Sequence, residues 1–122
     1  MGSSTPLVSF ITPALNRPLE LRAALASCLG QSFQQWEVVV VDDHSDQADL
    51  AALINTFNDP RIRYIPQLPD ATGEAVGRQL AIAEARSDIL ITLDSDDLNH
   101  PHRAAECYSL LKLDAPRLIY TR

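Results

Sequence analysis

The sequence predicts an α/β fold: a doubly wound, mostly parallel sheet with helices on both faces. Three observations carry that expectation. Short aliphatic or β-branched runs alternate with helix-periodic stretches along all 122 residues, the pattern of repeated βα units. Val38 to Val41 is unbroken valine, as in a strand covered on both faces. The breaks between segments fall on Pro, Gly, Asn and Asp, residues that stop helices and strands for known steric reasons.

The elements follow in order. Leu7 to Thr12 is β-rich and reads as the first strand. Pro13 to Pro18 reads as loop, with Pro18 suited to the first turn of a helix. Leu19 to Leu29 carries Leu21, Ala24, Leu25 and Cys28 at helical spacing, and Gly30 is the stop. Trp36 to Val41 is the second strand, ending in Asp42-Asp43-His44-Ser45. Asp49 to Phe57 is a short helix, broken by Asn58-Asp59-Pro60. Arg61 to Ile65 alternates and reads as a strand near an edge, with Arg61 and Arg63 on a solvated face. Pro66 to Thr72 is loop. Gly73 to Ala85 is helical, with Val76, Leu80 and Ala83 inward. Asp88 to Leu93 is the fourth strand. Pro101 opens a helix over His102 to Leu113, and Arg117 to Tyr120 begins a fifth strand. Helices between successive strands force parallel pairing, which makes a Rossmann-like layer.

Composition bounds the rest. Hydrophobic residues make up 46% and charged residues 21% of the chain, ordinary for a globular domain. The net charge of −6 lacks the basic stripe of a nucleic-acid binder. Cys28 and Cys107 match no zinc or redox spacing and read as free buried thiols. No run is long enough for a membrane span, and the start lacks the basic and apolar regions of a signal peptide, so a cytoplasmic location is expected. Residues 1–6 read as a disordered lead-in and 7–122 as the folded part.

The chemistry concentrates in Asp94-Ser95-Asp96-Asp97, three carboxylates in four residues at the end of a buried strand. Open α/β sheets bind ligands at such strand ends. Carboxylates crowded there repel one another unless a cation lies between them, and a hard divalent ion held by oxygens is the usual answer. The bland alternative is helix capping by Asp. A second pair, Asp42-Asp43, follows the second strand, so two strands deliver carboxylates to one edge. Such a carboxylate accepts from a nucleobase imide or ribose hydroxyl, or else caps the next helix. Trp36 reads as core. His44 reads as loop, and His100 and His102 read as capping or exposed residues at a helix start.

Val8 to Pro18, Gln31 to Ser45, Gly73 to Arg78, Ser87 to Asp97 and His100-Pro-His-Arg103 together resemble the family-two glycosyltransferases of the GT-A fold, over about residues 7 to 120. The resemblance implies transfer of a sugar from a nucleoside-diphosphate sugar, a UDP-sugar by family habit, to an acceptor with inversion at the anomeric carbon. Carried over by position, Pro13, Ala14, Leu15 and Asp43 contact the base, and Arg78 lies near the donor. Asp94 and Asp96 bind the nucleotide, and Asp96 and Asp97 bind Mn²⁺ or Mg²⁺ as the family's DXD motif. Which of Asp96 and Asp97 touches the metal stays open. Leu15 departs from the aromatic residue the family often has there. The family's general base comes from beyond the metal strand, so it is expected past residue 122, and the acceptor-binding half with it. A truncated half acting as a binding module is the alternative. A homodimer through an uncovered sheet edge is also expected. A phosphorelay receiver with Asp94 as phosphoacceptor fits less well. Its acidic pair follows the first strand, and Lys112 comes too soon after Asp94.

Overall fold

The computed structural model describes residues 5–94, 100–111 and 117–119. The elements are β1 (Val8–Ala14), α1 (Pro18–Leu29), β2 (Trp36–Asp42), α2 (Leu50–Asn55), β3 (Ile62–Pro66), α3 (Glu74–Glu84), β4 (Ile89–Thr92), α4 (Arg103–Leu111) and β5 (Arg117–Ile119). The alternation expected from the sequence is therefore present. Among the described residues the strands form one five-stranded sheet in the order β3-β2-β1-β4-β5, parallel at every pairing.

The pleat divides the core in two. Phe10, Trp36, Val38 and Val40 face α1 and α2 and pack with Leu21, Leu25, Leu50 and Leu53, joined by Ala104 and Cys107 of α4. Ile11, Val39 and Val41 face the other way and pack with Ala81 of α3. Successive residues of β1 and β2 thus feed opposite layers, which is why β2 carries valine at four successive positions. Cys28 and Cys107 are buried thiols, as expected.

Three strands run further than the sequence predicts: β2 by one residue, to Asp42, and β1 and β3 through a proline. The Ile11 carbonyl accepts from Leu93 N at 2.9 Å, so Pro13, two residues on, also turns its nitrogen toward β4. The β1–β4 ladder has ended at Ile11 and Thr92, and no donor is needed there. Pro13 and Ala14 still pair with Val41 and Asp42. At β3, Gln67 N reaches the Asp42 carbonyl at 2.9 Å, so Pro66 turns its nitrogen to the open edge, where proline is tolerated.

The inward face of α3 differs from the expectation. Gly77 and Ala81 are buried, Val76 is 39% exposed, Ala83 is exposed and Leu80 is half-buried. Close approach explains this. A Cβ on Gly77 would stand 3.4 Å from Gln67 Nε2 and 3.5 Å from Pro13 Cβ and Val41 Cγ1. Small residues let α3 lie directly on β1 and β2, and that rotation takes Val76 to solvent.

The arginines at the start of β3 are half-buried and paired rather than on a solvated face. Arg61 lies 3.8 Å over the buried Trp36 ring and pairs with Asp59 at 2.7 Å. This guanidinium bond holds the Asp59 carboxyl below its usual range. Arg63 pairs at 3.0 Å with Glu37, which is buried in the sheet and also accepts from Ser9 Oγ and Arg86 N. Polar groups buried this far from water need such partners.

Candidate functional site

The chain runs outward from β1 through β2 to β3 and then returns to the other side of β1 to lay down β4. Strand order reverses there, and that is where open α/β sheets leave a crevice at the C-terminal strand ends. A cleft of about 480 Å³ opens at this place, lined by Pro13, Ala14, Leu15, Arg17, Asp43, Gly73, Glu74 and Asp94. Five residues expected from the sequence thus share one cavity: Pro13, Ala14, Leu15, Asp43 and Asp94. Arg78 adjoins it, because its Nη2 meets Glu74 at 2.9 Å and Asp94 at 3.4 Å.

The two adjacent aspartates have different surroundings. Asp42 is buried in β2. Its carboxylate accepts from Tyr64 OH at 2.6 Å and from Ser45 N at 3.0 Å. Burial first, then the bond to Asp42, pushes the Tyr64 hydroxyl up to about 12. Asp43 has left the strand and turns into the cleft. Its Oδ2 accepts from Gly73 N at 3.0 Å, while its Oδ1 is buried without a hydrogen-bond partner among the described residues. An unpaired buried carboxylate oxygen is costly, and its natural complement is a ligand N–H or O–H.

Local backbone choices hold this geometry. Gly73 has φ 103, a conformation open to glycine and strained for other residues. It brings its amide to Asp43 at the mouth of α3. Asn16 has φ 50 and His44 φ 62, the left-handed region, which Asn and His tolerate better than most side chains. Asn16 N donates to Ser45 Oγ at 2.9 Å, Asn16 Nδ2 to Asp46 at 3.0 Å, and Asn16 Oδ1 accepts from Gln47 N at 2.8 Å. The loops after β1 and β2 are therefore tied together. His44 Nε2 donates to the Leu68 and Ala71 carbonyls at 3.1 and 2.9 Å, which fixes the loop leading to Gly73. His44 serves the loop, as expected.

Asp96 and Asp97 lie outside the described residues. Among the described residues no group of three or more His, Cys, Asp or Glu is placed to hold a metal ion. The described ends of that segment are firmly bonded. Arg103 Nη2 donates to the Thr92 carbonyl at 2.7 Å. Gln31, buried at the end of α1, donates to His100 O at 2.7 Å and accepts from Ala104 N at 3.0 Å. His100 Nδ1 accepts from His102 N at 3.2 Å, and His102 Nδ1 meets Ser32 Oγ at 3.0 Å. Both histidines thus serve the helix start, as the sequence predicts.

Sequence reasoning missed Arg17, Gly73 and Glu74 as lining residues. Gly73 carried a signal, a glycine opening a helix after a loop. Arg17 and Glu74 carried none, because a helix-start charge is commonplace on a surface.

Comparison with known proteins adds three findings. The family model described as "Glycosyl transferase family 2" matches residues 9–120. An uncharacterized glycosyltransferase of Haemophilus influenzae is 33% identical over 93 residues, which are 75% of this chain and 37% of that protein. The chain thus spans a little over a third of that relative's length. Among solved structures, S. aureus TarS 1-349 in complex with UDP-GlcNAc superposes with a TM-score of 0.78 at 22% identity, covering 88% of this chain and 31% of that one. The mannosyltransferase PcManGT from Pyrobaculum calidifontis, in complex with GDP-Man and Mn²⁺, superposes with a TM-score of 0.70 at 23% identity, covering 88% and 32%. These two share the fold. Among the described residues no helix is long and apolar enough to cross a membrane.

Proposed function

The chain belongs to glycosyl transferase family 2, and from that premise we propose that its cleft binds a nucleoside-diphosphate sugar with Mn²⁺ or Mg²⁺. In this reading residues 7–122 are the donor-binding part of a longer inverting transferase, in keeping with the 37% share of the Haemophilus relative that the chain covers.

The observation that carries the reading is the buried Oδ1 of Asp43, without a hydrogen-bond partner among the described residues, in a cleft at the strand-order reversal. It accepts from the imide of a uracil-like base, while Gly73 N holds the other carboxylate oxygen in place. Buried Pro13 and Ala14 and half-exposed Leu15 offer the base an apolar wall. Leu15 packs against the base without the face-on stacking an aromatic ring would give. Asp94 in the cleft lining and Arg78, paired with it at 3.4 Å, orient the ribose and phosphates in this reading.

Asp96 and Asp97 are the proposed metal ligands. A bound divalent ion there supplies electrostatic stabilisation of the departing diphosphate. The acceptor hydroxyl needs a general base on the opposite face of the sugar, and in this reading that group lies beyond residue 122. The work of this chain is then to hold the donor and fix the orientation of its anomeric carbon. The TarS structure with UDP-GlcNAc and the PcManGT structure with GDP-Man and Mn²⁺ support a nucleotide sugar and a divalent ion as the ligands to try first.

The test is a thermal-shift titration with UDP, GDP and dTDP, each with and without Mn²⁺. A ligand at a hundred times its Kd adds about 2.7 kcal/mol to the native state, a shift of several degrees in a domain of this size. One nucleotide is expected to shift the melting point in a metal-dependent way, and Asp96→Ala and Asp97→Ala are expected to abolish the metal dependence without unfolding the protein. If both variants keep the wild-type response to Mn²⁺, the metal assignment is wrong. Absence of any shift from the folded wild-type chain refutes the donor site.

A further inference from the structure

Asp43 meets a ligand with one carboxylate oxygen while the other is held. Its Oδ2 accepts from Gly73 N at 3.0 Å and, more weakly, from Thr72 Oγ1 at 3.5 Å. Its buried Oδ1 has no hydrogen-bond partner among the described residues. A carboxylate turns readily about its last bond, so the group that holds Oδ2 also sets where Oδ1 lies. What fixes Gly73 therefore decides how well Asp43 is aimed.

The connection from β3 to α3, residues 67–73, contains no helix or strand. Its start is tied to β2 through Gln67 N, which donates to the Asp42 carbonyl at 2.9 Å. Within it Ala71 N closes a turn on the Leu68 carbonyl at 3.1 Å. Beyond its own connection, that turn is bonded among the described residues to His44. The ring Nε2 donates to Leu68 O at 3.1 Å and to Ala71 O at 2.9 Å. Both partners are acceptors, so the proton of the neutral ring stands on Nε2. His44 follows Asp43 directly and has φ 62, a conformation sparsely populated by residues with side chains. The contacts close a circuit. Asp43 leads to His44 along the chain, His44 to the turn, and the turn through Thr72 and Gly73 back to Asp43 Oδ2.

We propose that His44 is a positioning residue for the cleft: it pins the turn that carries Gly73 and so keeps Asp43 Oδ1 presented to the ligand. The role rests on the nucleotide reading of the cleft. Coupling between two equilibria is reciprocal, so a ligand on Asp43 also steadies the Gly73 amide.

The test uses two variants. His44→Gly removes the ring and leaves the left-handed backbone accessible. His44→Gln restores N–H donors on a side chain of similar reach. Hydrogen exchange at single amides, followed by NMR, reads the loop. Calorimetric titration with UDP and GDP in Mg²⁺, repeated in Mn²⁺, reads the cleft. In ligand-free His44→Gly the Gly73 amide is expected to exchange about fivefold faster, the order of one neutral hydrogen bond, while amides of β1 and β2 exchange as in wild type. The same variant is expected to bind nucleotide about fivefold more weakly, and saturating nucleotide with Mg²⁺ to return Gly73 protection toward the wild-type level. His44→Gln is expected to recover part of both losses. Unchanged Gly73 exchange in His44→Gly overturns the proposal, because the ring then does not hold the turn. A loosened Gly73 with unchanged nucleotide affinity overturns it as well, because the turn then does not aim Asp43. Equal acceleration at Gly73 and in the strands also overturns it, since His44 would then serve global stability. Wild-type protein that binds neither nucleotide with either metal refutes the nucleotide reading itself, and the ligand role of His44 with it.

Discussion

Asp42 and Asp43 are neighbours in sequence, and replacing each by alanine is expected to have opposite consequences. The Asp42 carboxylate accepts from Tyr64 OH at 2.6 Å and Ser45 N at 3.0 Å, and the residue is 6% exposed. Hydrogen bonds to a charged group contribute about 1.5–3 kcal/mol each. Ser45 is only half-buried, so water replaces part of its bond, and the expected loss in Asp42→Ala is about 3 kcal/mol. In a domain of this length that is a fall of roughly 10–15 °C in Tm. Asp43→Ala loses one comparable bond, from Gly73 N at 3.0 Å, and a long, exposed one from Thr72 Oγ1 at 3.5 Å that water replaces. It also removes an oxygen buried without a partner, a feature that costs about 1–3 kcal/mol. The two effects nearly cancel, and its stability is expected to stay within about 1 kcal/mol of wild type. Nucleotide affinity follows the other order: Asp43→Ala loses most of it, while folded Asp42→Ala keeps it. Urea denaturation followed by circular dichroism gives the stabilities, and calorimetric titration with the nucleotide that stabilises wild type gives the affinities. If Asp43→Ala is as destabilising as Asp42→Ala, or binds nucleotide as wild type does, the division of labour argued here is wrong.

Two further predictions concern the parts that hold the cleft. Tyr64 is raised to about 12 in the folded chain, by burial and then by its bond to Asp42. The folded state therefore keeps this proton where the unfolded state, titrating near 10, releases it. That contribution to stability is whole below pH 10 and is lost as pH rises toward 12. Tyr64→Phe should flatten the decline of the urea midpoint between pH 9 and 12, and an unchanged slope would show that Tyr64 is not its source. At Gly77, valine adds two methyl groups beyond a Cβ already 3.4–3.5 Å from its neighbours. Overpacking of that kind costs about 1–3 kcal/mol. Gly77→Ala gains about 1 kcal/mol of helix propensity against contact with the movable Gln67 amide and is expected to be nearly neutral. A Gly77→Val protein that melts with wild type would mean that α3 does not lie so close to the sheet.

The element order was legible from local pattern: all five strands and all four helices begin within one residue of the expected positions. Pro13 and Pro66 misled because proline is read as a break, although each turns its missing donor to a side without a ladder. The α3 face misled because a hydrophobicity pattern favours Val76, while close packing on β1 and β2 selects Gly77 and Ala81. Arg63 read as a surface charge, since its partner Glu37 lies 26 residues away and on another strand. Of the candidate site, the acidic residues after β2 and β4 and the loop after β1 were visible as residue types at strand ends. Arg17 was not, because nothing in a short window distinguishes a cleft arginine from a solvated one.

By itself, the sequence determined what depends on neighbours along the chain: the alternation of strand and helix, the all-valine stretch that demands two covering layers, and the carboxylates waiting at strand ends. Dihedral preferences, two-residue and 3.6-residue periods and turn chemistry act within a few residues, so they can be read from a string. The tertiary structure alone decided the order β3-β2-β1-β4-β5, and with it which strand ends stand side by side. That order puts Asp43, Arg17 and Asp94 around one cleft. It also turns Asp42 back to Tyr64 while leaving Asp43 an oxygen without a partner among the described residues. Such assignments join residues tens of positions apart, and they are settled by which apolar faces can be buried together, a balance over the whole chain that no local segment contains.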